Sequence, residues 1–170
     1  NSQKVERYAK ERLRYQTPVV CVSRFVPHKR VELLIEALKG TEWNLKIIGN
    51  GDPTFYRNLL INSGVSGEVV VNPSDEYVIN QLCRATVVVH PSSFEGLSLV
   101  PKEALYCNTP VLISDIPVHK EYHKDTVTYL DSNNISDWTD KIVNRKWKPA
   151  EEGRKELEQY TIEKTTDKVE

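Results

Sequence analysis

The chain has 170 residues, 39% hydrophobic and 28% charged, which is enough for one domain with a sizeable core. Its 23 Lys and Arg against 24 Asp and Glu leave a net charge of -1, so it lacks the basic excess of a nucleic-acid module. No apolar run approaches the roughly 20 residues a bilayer requires, and the polar stretch 1–16 lacks the apolar middle of a signal peptide.

In chain order, 1–17 reads as a linker or lead-in helix and 18–170 as a single Rossmann-like unit with C-terminal helices. Short, nearly unbroken β-rich runs fall at 19–22, 45–48, 69–71, 86–89 and 110–113, with a weaker sixth at 127–130. Such runs suit strands buried on both faces. Helical segments lie between them. Val31, Leu34, Ile35 and Leu38 form an apolar stripe ending at Gly40. A second helix is expected over 53–62, with Pro53 in its first turn and Gly64 past its end. Ser74 or Asp75 can cap a third that buries Val78, Ile79 and Leu82. A fourth is expected over 97–106, a fifth around Ile135, Trp138 and Ile142, and a charged terminal one over 151–160. Strand and helix alternating at this interval predict an α/β fold, a doubly wound parallel sheet with helices on both faces.

Cys21, Cys83 and Cys107 form no C-x-x-C pair, and each sits in an apolar setting. They read as three buried free thiols, which suits a reducing, cytoplasmic compartment. His119 and His123 are four apart but have no clustered Cys or His beside them, so a metal site is not expected.

Ligands of such sheets bind at the carboxyl ends of the strands, which directs attention to 23–30, 49–53, 72–75, 90–96 and 114–122. Of only 7 glycines, Gly49, Gly51 and Gly96 fall there, where a bare backbone permits close approach to a ligand. The turn from Gly49 to Thr54 fails the dinucleotide pattern G-x-G-x-x-G, and no G-K-[ST] exists, so neither NAD nor a Walker loop is supported. In the first loop Arg24, Lys29 and Arg30 gather positive charge before a helix. Taken alone this is equally a solvated basic turn, but its position at a strand end favours a phosphate site. Glu95 and Glu103, eight apart, would stand roughly 12 Å apart on one helix. That exceeds the spacing of a glycosidase pair, about 5–9.5 Å, and suits the two ends of one elongated ligand.

Glu95-x7-Glu103, with Pro91-Ser92-Ser93-Phe94 before it, Gly96 within it, and Ala104-Leu105-Tyr106-Cys107-Asn108-Thr109-Pro110-Val111 after it, resembles the signature of retaining GT-B glycosyltransferases of family 4. Upstream, Ser23-Arg24 followed by Lys29 is similar to that family's phosphate loop, and Gly49-Asn50-Gly51 to its glycine-rich turn. The resemblance runs in order from Val19 to Tyr122 and more loosely to Glu163. It implies one of the two Rossmann-like domains of a GT-B fold, the C-terminal one that binds the nucleotide-sugar donor.

By that resemblance Arg24 and Lys29 hold the donor diphosphate and stabilise the departing nucleoside diphosphate. Glu103 accepts from ribose hydroxyls. Glu95 faces the sugar. Backbone N–H groups of Gly96, Leu97, Ser98 and Leu99 meet oxygens at a helix N-terminus. The loop ending at Asp75 lies near the base, and Gly51 belongs to the donor site. The implied reaction moves a hexose from a UDP-, GDP- or ADP-linked donor to a glycan or lipid-linked acceptor with retained configuration. No metal or other cofactor is required, since fixed cations can carry the leaving-group charge.

The acceptor would bind an N-terminal domain absent from this stretch. The missing initiator Met agrees with a truncated chain, and the isolated fragment would then be inactive. A cytoplasmic location follows, with peripheral contact at the inner face of a membrane. The chain departs from the family pattern at Leu97-Ser98, where Phe-Gly is common, at Asn108, where Gly is common, and at Lys102, which adds a charge beside Glu103. The alternatives are a non-catalytic nucleotide-sugar binding or regulatory module of the same fold and, fitting the glutamate spacing less well, a sugar-nucleotide epimerase.

Overall fold

The computed structural model describes residues 18–166; the expected lead-in over 1–17 lies outside the described residues. Six strands, β1 (Val19–Val22), β2 (Leu45–Gly49), β3 (Gly67–Val71), β4 (Val87–His90), β5 (Val111–Ser114) and β6 (Thr128–Leu130), form one sheet in the order β3-β2-β1-β4-β5-β6. Every neighbouring pair is parallel. Seven α-helices accompany them among the described residues: α1 (Val31–Ala37), α2 (Thr54–Ser63), α3 (Asp75–Arg84), α4 (Val100–Tyr106), α5 (Pro117–His123), α6 (Ile135–Val143) and α7 (Ala150–Thr166). No described helix is long and apolar enough to cross a membrane.

The unbroken apolar runs are explained by a core on each face. Because strand side chains alternate, Val19, Cys21, Val87, Val89 and Leu112 join Leu34, Ile35, Trp138 and Ile142 on one side. Val20, Val88, Val111 and Ile113 join Leu82, Ala104 and Leu105 on the other. Each fully buried Val, Leu or Ile contributes roughly 1.5–3 kcal/mol, so central strands cannot carry polar residues without loss.

Local signals set the helix ends. The Ser74 hydroxyl accepts from Tyr77 N at 3.2 Å to cap α3, and Asn134 caps α6 through Asp137 N. Gly64, at φ 70°, closes α2 in the left-handed conformation.

Four expectations are corrected. Helix α4 begins at Val100 rather than near Leu97, because Pro101 has no N–H to bond back to residue 97. On α3 burial rises toward the C-terminal end, so Leu82 and Cys83 are covered while Ile79 is 43% exposed. The segment 114–122 is no simple loop but carries most of α5, which Pro117 opens. Finally, Cys83 near the end of α3 and Cys107 at the end of α4 are joined in a disulfide, their Cα atoms 4.7 Å apart. Only Cys21 is a buried free thiol, and burial pushes it up to about 12.

Candidate functional site

The sheet reverses direction between β1 and β4: β2 and β3 extend to one side of this pair and β5 and β6 to the other. The loops leaving the carboxyl ends of β1 and β4 therefore diverge and leave a crevice, the usual ligand position of an open α/β sheet.

The first loop is shaped by its neighbours. Ser23 N donates to Ile48 O and Phe25 N to Asn50 O, each at 2.9 Å, which continues the β1–β2 pairing past the strands. The approach is so close that a Cβ on Gly49 would run into the Ser23 carbonyl oxygen. Gly49 is thus demanded by the close passage of the Ser23 loop. Gly51, at φ 124°, lies exposed beside the Phe25 ring.

Beyond Phe25 comes a single 3-10 turn, Pro27–Lys29, after which Arg30 takes φ 53° and starts α1. Arg30 leaves the basic cluster. Its Nη2 donates to Ser132 O at 2.5 Å, and its guanidinium lies 5.8 Å from the Trp138 ring. Arg24 stays exposed at the crevice, while Lys29 is only 8% exposed.

The second loop follows His90 and crosses toward the first. Ser93 N donates to His28 O at 2.8 Å, Ser93 Oγ reaches the same oxygen at 3.1 Å, and the rings of His28 and Phe94 meet edge-on at 6.3 Å. This contact brings Glu95 onto Lys29. Lys29 Nζ donates to Glu95 Oε1 at 2.5 Å, and His90 Nε2 stands 2.6 Å from the same oxygen. Burial works to raise the Glu95 carboxyl, but hydrogen bonds from His90, Lys29 and Ser92 outweigh it and hold the group well below the usual carboxylate range. Glu95 is therefore an ionised acceptor at neutral pH.

Gly96, Leu97, Ser98 and Leu99 precede α4 in irregular chain, not in its first turn as expected. Nothing lies within 4 Å of where a Cβ on Gly96 would point, and Leu97 and Leu99 are more than half exposed. Glu103 stands half-buried in the first turn of α4. Burial, and then the charge of Asp75 at the exposed start of α3, raise its carboxyl. Two pairings thus emerge from the expected residues: Lys29 with Glu95, in contact, and Asp75 with Glu103, electrostatic neighbours. Lys102 stands over the Tyr122 ring at 5.9 Å.

The sequence reading passed over His90. It ends a wholly apolar run, is 1% exposed, and touches the central carboxylate. A lone polar residue closing a buried strand was the available signal.

His90, Glu95 and His119 each offer one ligand atom, all within 4.8 Å of one another. Among the described residues these could hold a metal, but the Lys29 ammonium already lies on the carboxylate as its counter-cation. The His119 and His123 pair packs instead: the rings meet at 6.0 Å, His119 Nδ1 lies 2.8 Å from Ser114 O, and burial pushes His123 down to about 4. Chemically, the crevice joins cations suited to phosphate, an ionised carboxylate suited to hydroxyls, and open backbone at Gly96.

The family described as Glycosyl transferases group 1 matches residues 6–164. An uncharacterised glycosyltransferase of Methanocaldococcus jannaschii is 30% identical over 128 residues, covering 72% of this chain and 36% of the relative. The O-antigen chain mannosyltransferase of Salmonella typhimurium is 29% identical over 126 residues, covering 69% of this chain and 35% of the relative. The chain therefore spans about a third of the length of the curated relatives it matches. In fold, a sucrose-phosphate synthase of Thermosynechococcus elongatus superposes with a TM-score of 0.68 at 23% identity, over 80% of this chain and 38% of that one. The match over nearly the whole sequence means that this chain belongs to the glycosyl transferases group 1 family.

Proposed function

We propose that this chain is the donor-binding half of a retaining glycosyltransferase, the C-terminal Rossmann-like unit of a two-domain GT-B enzyme of family 4. The observation that carries the reading is the meeting of Lys29 and Glu95 at the switch point of the sheet. A cation suited to phosphate and an ionised acceptor suited to sugar hydroxyls there face one crevice.

In this reading a UDP-, GDP- or ADP-linked sugar lies across the carboxyl ends of β1 and β4. Arg24 and Lys29 take the diphosphate, Glu103 accepts from the ribose hydroxyls, and the loop to Asp75 borders the base. Gly51 and the backbone of Gly96, Leu97, Ser98 and Leu99 line the middle, and Glu95 receives the sugar hydroxyls. For Lys29 to reach the diphosphate it must loosen from Glu95, so donor binding rearranges that ion pair.

The bond between the anomeric carbon and the diphosphate oxygen breaks, the acceptor hydroxyl oxygen bonds that carbon on the same face, and its proton passes to the departing diphosphate oxygen. Arg24 and Lys29 offset the charge left on the nucleoside diphosphate, so no metal or other cofactor is needed. The acceptor, a glycan or a lipid-linked glycan, is held by an N-terminal domain beyond this chain, in agreement with the third of each relative that the chain spans. The similarity to an O-antigen chain mannosyltransferase supports a glycan product. A cytoplasmic location, in peripheral contact with the inner face of a membrane, belongs to the same reading.

Titration calorimetry of the chain with UDP, GDP and ADP tests it. One of them should bind in a 1:1 ratio, and Arg24→Ala and Glu103→Ala should each weaken that binding by about tenfold or more, the scale of one charge-assisted hydrogen bond. No binding by any of the three overturns the proposal. The isolated chain should transfer no sugar.

A further inference from the structure

Two donors converge on Glu95 Oε1, but they are mounted very differently. Lys29 reaches it at 2.5 Å from a single 3-10 turn, on a flexible four-carbon stem. His90 reaches it at 2.6 Å from the end of β4, where it is paired with Ile113 of β5 and 1% exposed. The His119 ring tilts against the His90 ring at 5.6 Å, and His119 is itself held by Ser114 O at 2.8 Å. Ser114 Oγ in turn donates to Ser92 O, which ties β5 to the start of the loop that carries Glu95. The imidazole cannot follow a moving partner, whereas the ammonium can.

The ring's other nitrogen defines its role. His90 Nδ1 is buried with no hydrogen-bond partner among the described residues. A buried N–H left unpaired costs more than a bare lone pair beside apolar neighbours, and the acceptor lies at Nε2. The proton therefore sits on Nε2 and points at the carboxylate.

We propose that His90 is a positioning residue: its Nε2–H keeps the Glu95 carboxylate aimed at the donor sugar when Lys29 turns to the diphosphate. This rests on the donor-binding reading above. Lys29 cannot serve a phosphate and go on holding Glu95 at the same time. Without His90, the buried Ser92 hydroxyl would be the one fixed donor left to the carboxylate among these three, and the side chain could swing away as the donor bound. His90 also spares Lys29 a choice between its two anions, because Glu95 keeps a partner after the ammonium departs.

The test compares a bare nucleoside diphosphate with its nucleotide sugar, using UDP and UDP-glucose, GDP and GDP-mannose, and ADP and ADP-glucose. Each pair is titrated into the chain and into His90→Leu and His90→Gln, with thermal unfolding as a check on folding. His90→Leu should weaken the nucleotide sugar by about tenfold while changing the nucleoside diphosphate by less than about threefold. His90→Gln, whose amide N–H can donate along the same line, should recover most of the lost discrimination. If His90→Leu does not fold, His90→Asn, polar but too short to reach Oε1, replaces it with the same expectation.

Equal weakening of both ligands in the Leu and Gln variants would mark a structural role and overturn the proposal, as would unchanged affinities. If the unaltered chain binds none of the six ligands, the donor-binding reading itself falls. Binding by the unaltered chain without the sugar-specific loss refutes only the role of His90.

Discussion

Arg24 and Arg30 stand six apart in one basic loop, yet they do different work. Arg24 is exposed at the crevice, whereas Arg30 is committed to Ser132 O and the Trp138 ring. Arg30→Ala should therefore cost about 1–3 kcal/mol in urea unfolding with little change in nucleotide affinity, and Arg24→Ala should do the reverse. A second residue-scale expectation concerns acid. Burial, with help from His119, Lys102 and His90, holds His123 down at about 4, and burial also lowers His119. An imidazole whose folded value lies below its unfolded value of about 6.5 leaves stability complete above that pH. The loss comes as pH falls through the window from about 6.5 toward 4. His123 should account for about 2–3 kcal/mol of the drop between pH 7 and pH 4.5. Urea titrations at the two values check this, with His123→Gln giving the smaller difference. Glu95, shifted down, begins to lose its own contribution as pH falls through the ordinary carboxylate range and goes on losing it below.

At the scale of elements, the chain's local rules were largely readable. The strands fall within two residues of their expected ends because both-face burial demands apolar runs, and that demand is visible in one dimension. Ser74 and Gly64 mark helix ends by chemistry confined to a few neighbouring residues. The misjudged start of α4 was itself readable from Pro101, whose missing N–H outweighs the helical period around it. The Gly49 contact was not, because it depends on how closely the β1 loop passes over β2. Gly49→Ala must push that loop away, so it should destabilise the fold by at least the roughly 1–3 kcal/mol usual for overpacking. It should also weaken nucleotide binding, since the displaced loop carries Arg24. Thermal unfolding and calorimetry on the same sample measure the two effects together.

For the whole molecule, the disulfide joins α3, which begins at Asp75, to α4, which carries Glu103. It closes a loop of 24 residues, for which a cross-link contributes about 3 kcal/mol by limiting the unfolded chain. Urea unfolding with and without dithiothreitol should differ by that amount, and Cys83→Ala should abolish the difference. Thiol titration in urea without reductant should find the single free group, Cys21. The expectation of a reducing compartment rested on three unpaired thiols, a premise that survives only for Cys21.

The sequence by itself determined the alternation of strands and helices, the parallel sheet, the crevice loops and the family, because periodicity, caps and spaced motifs are properties of neighbouring residues. Only the tertiary structure decided which of those residues meet. Lys29 and Glu95 are 66 residues apart, Arg30 and Ser132 are 102 apart, and Cys83 and Cys107 are 24 apart. Such contacts follow from the order of strands in the sheet and the direction of each crossover, and no local pattern encodes them. His90 belongs with these: as a letter it ends an apolar run, and as a folded residue it holds the carboxylate on which the proposed sugar site depends.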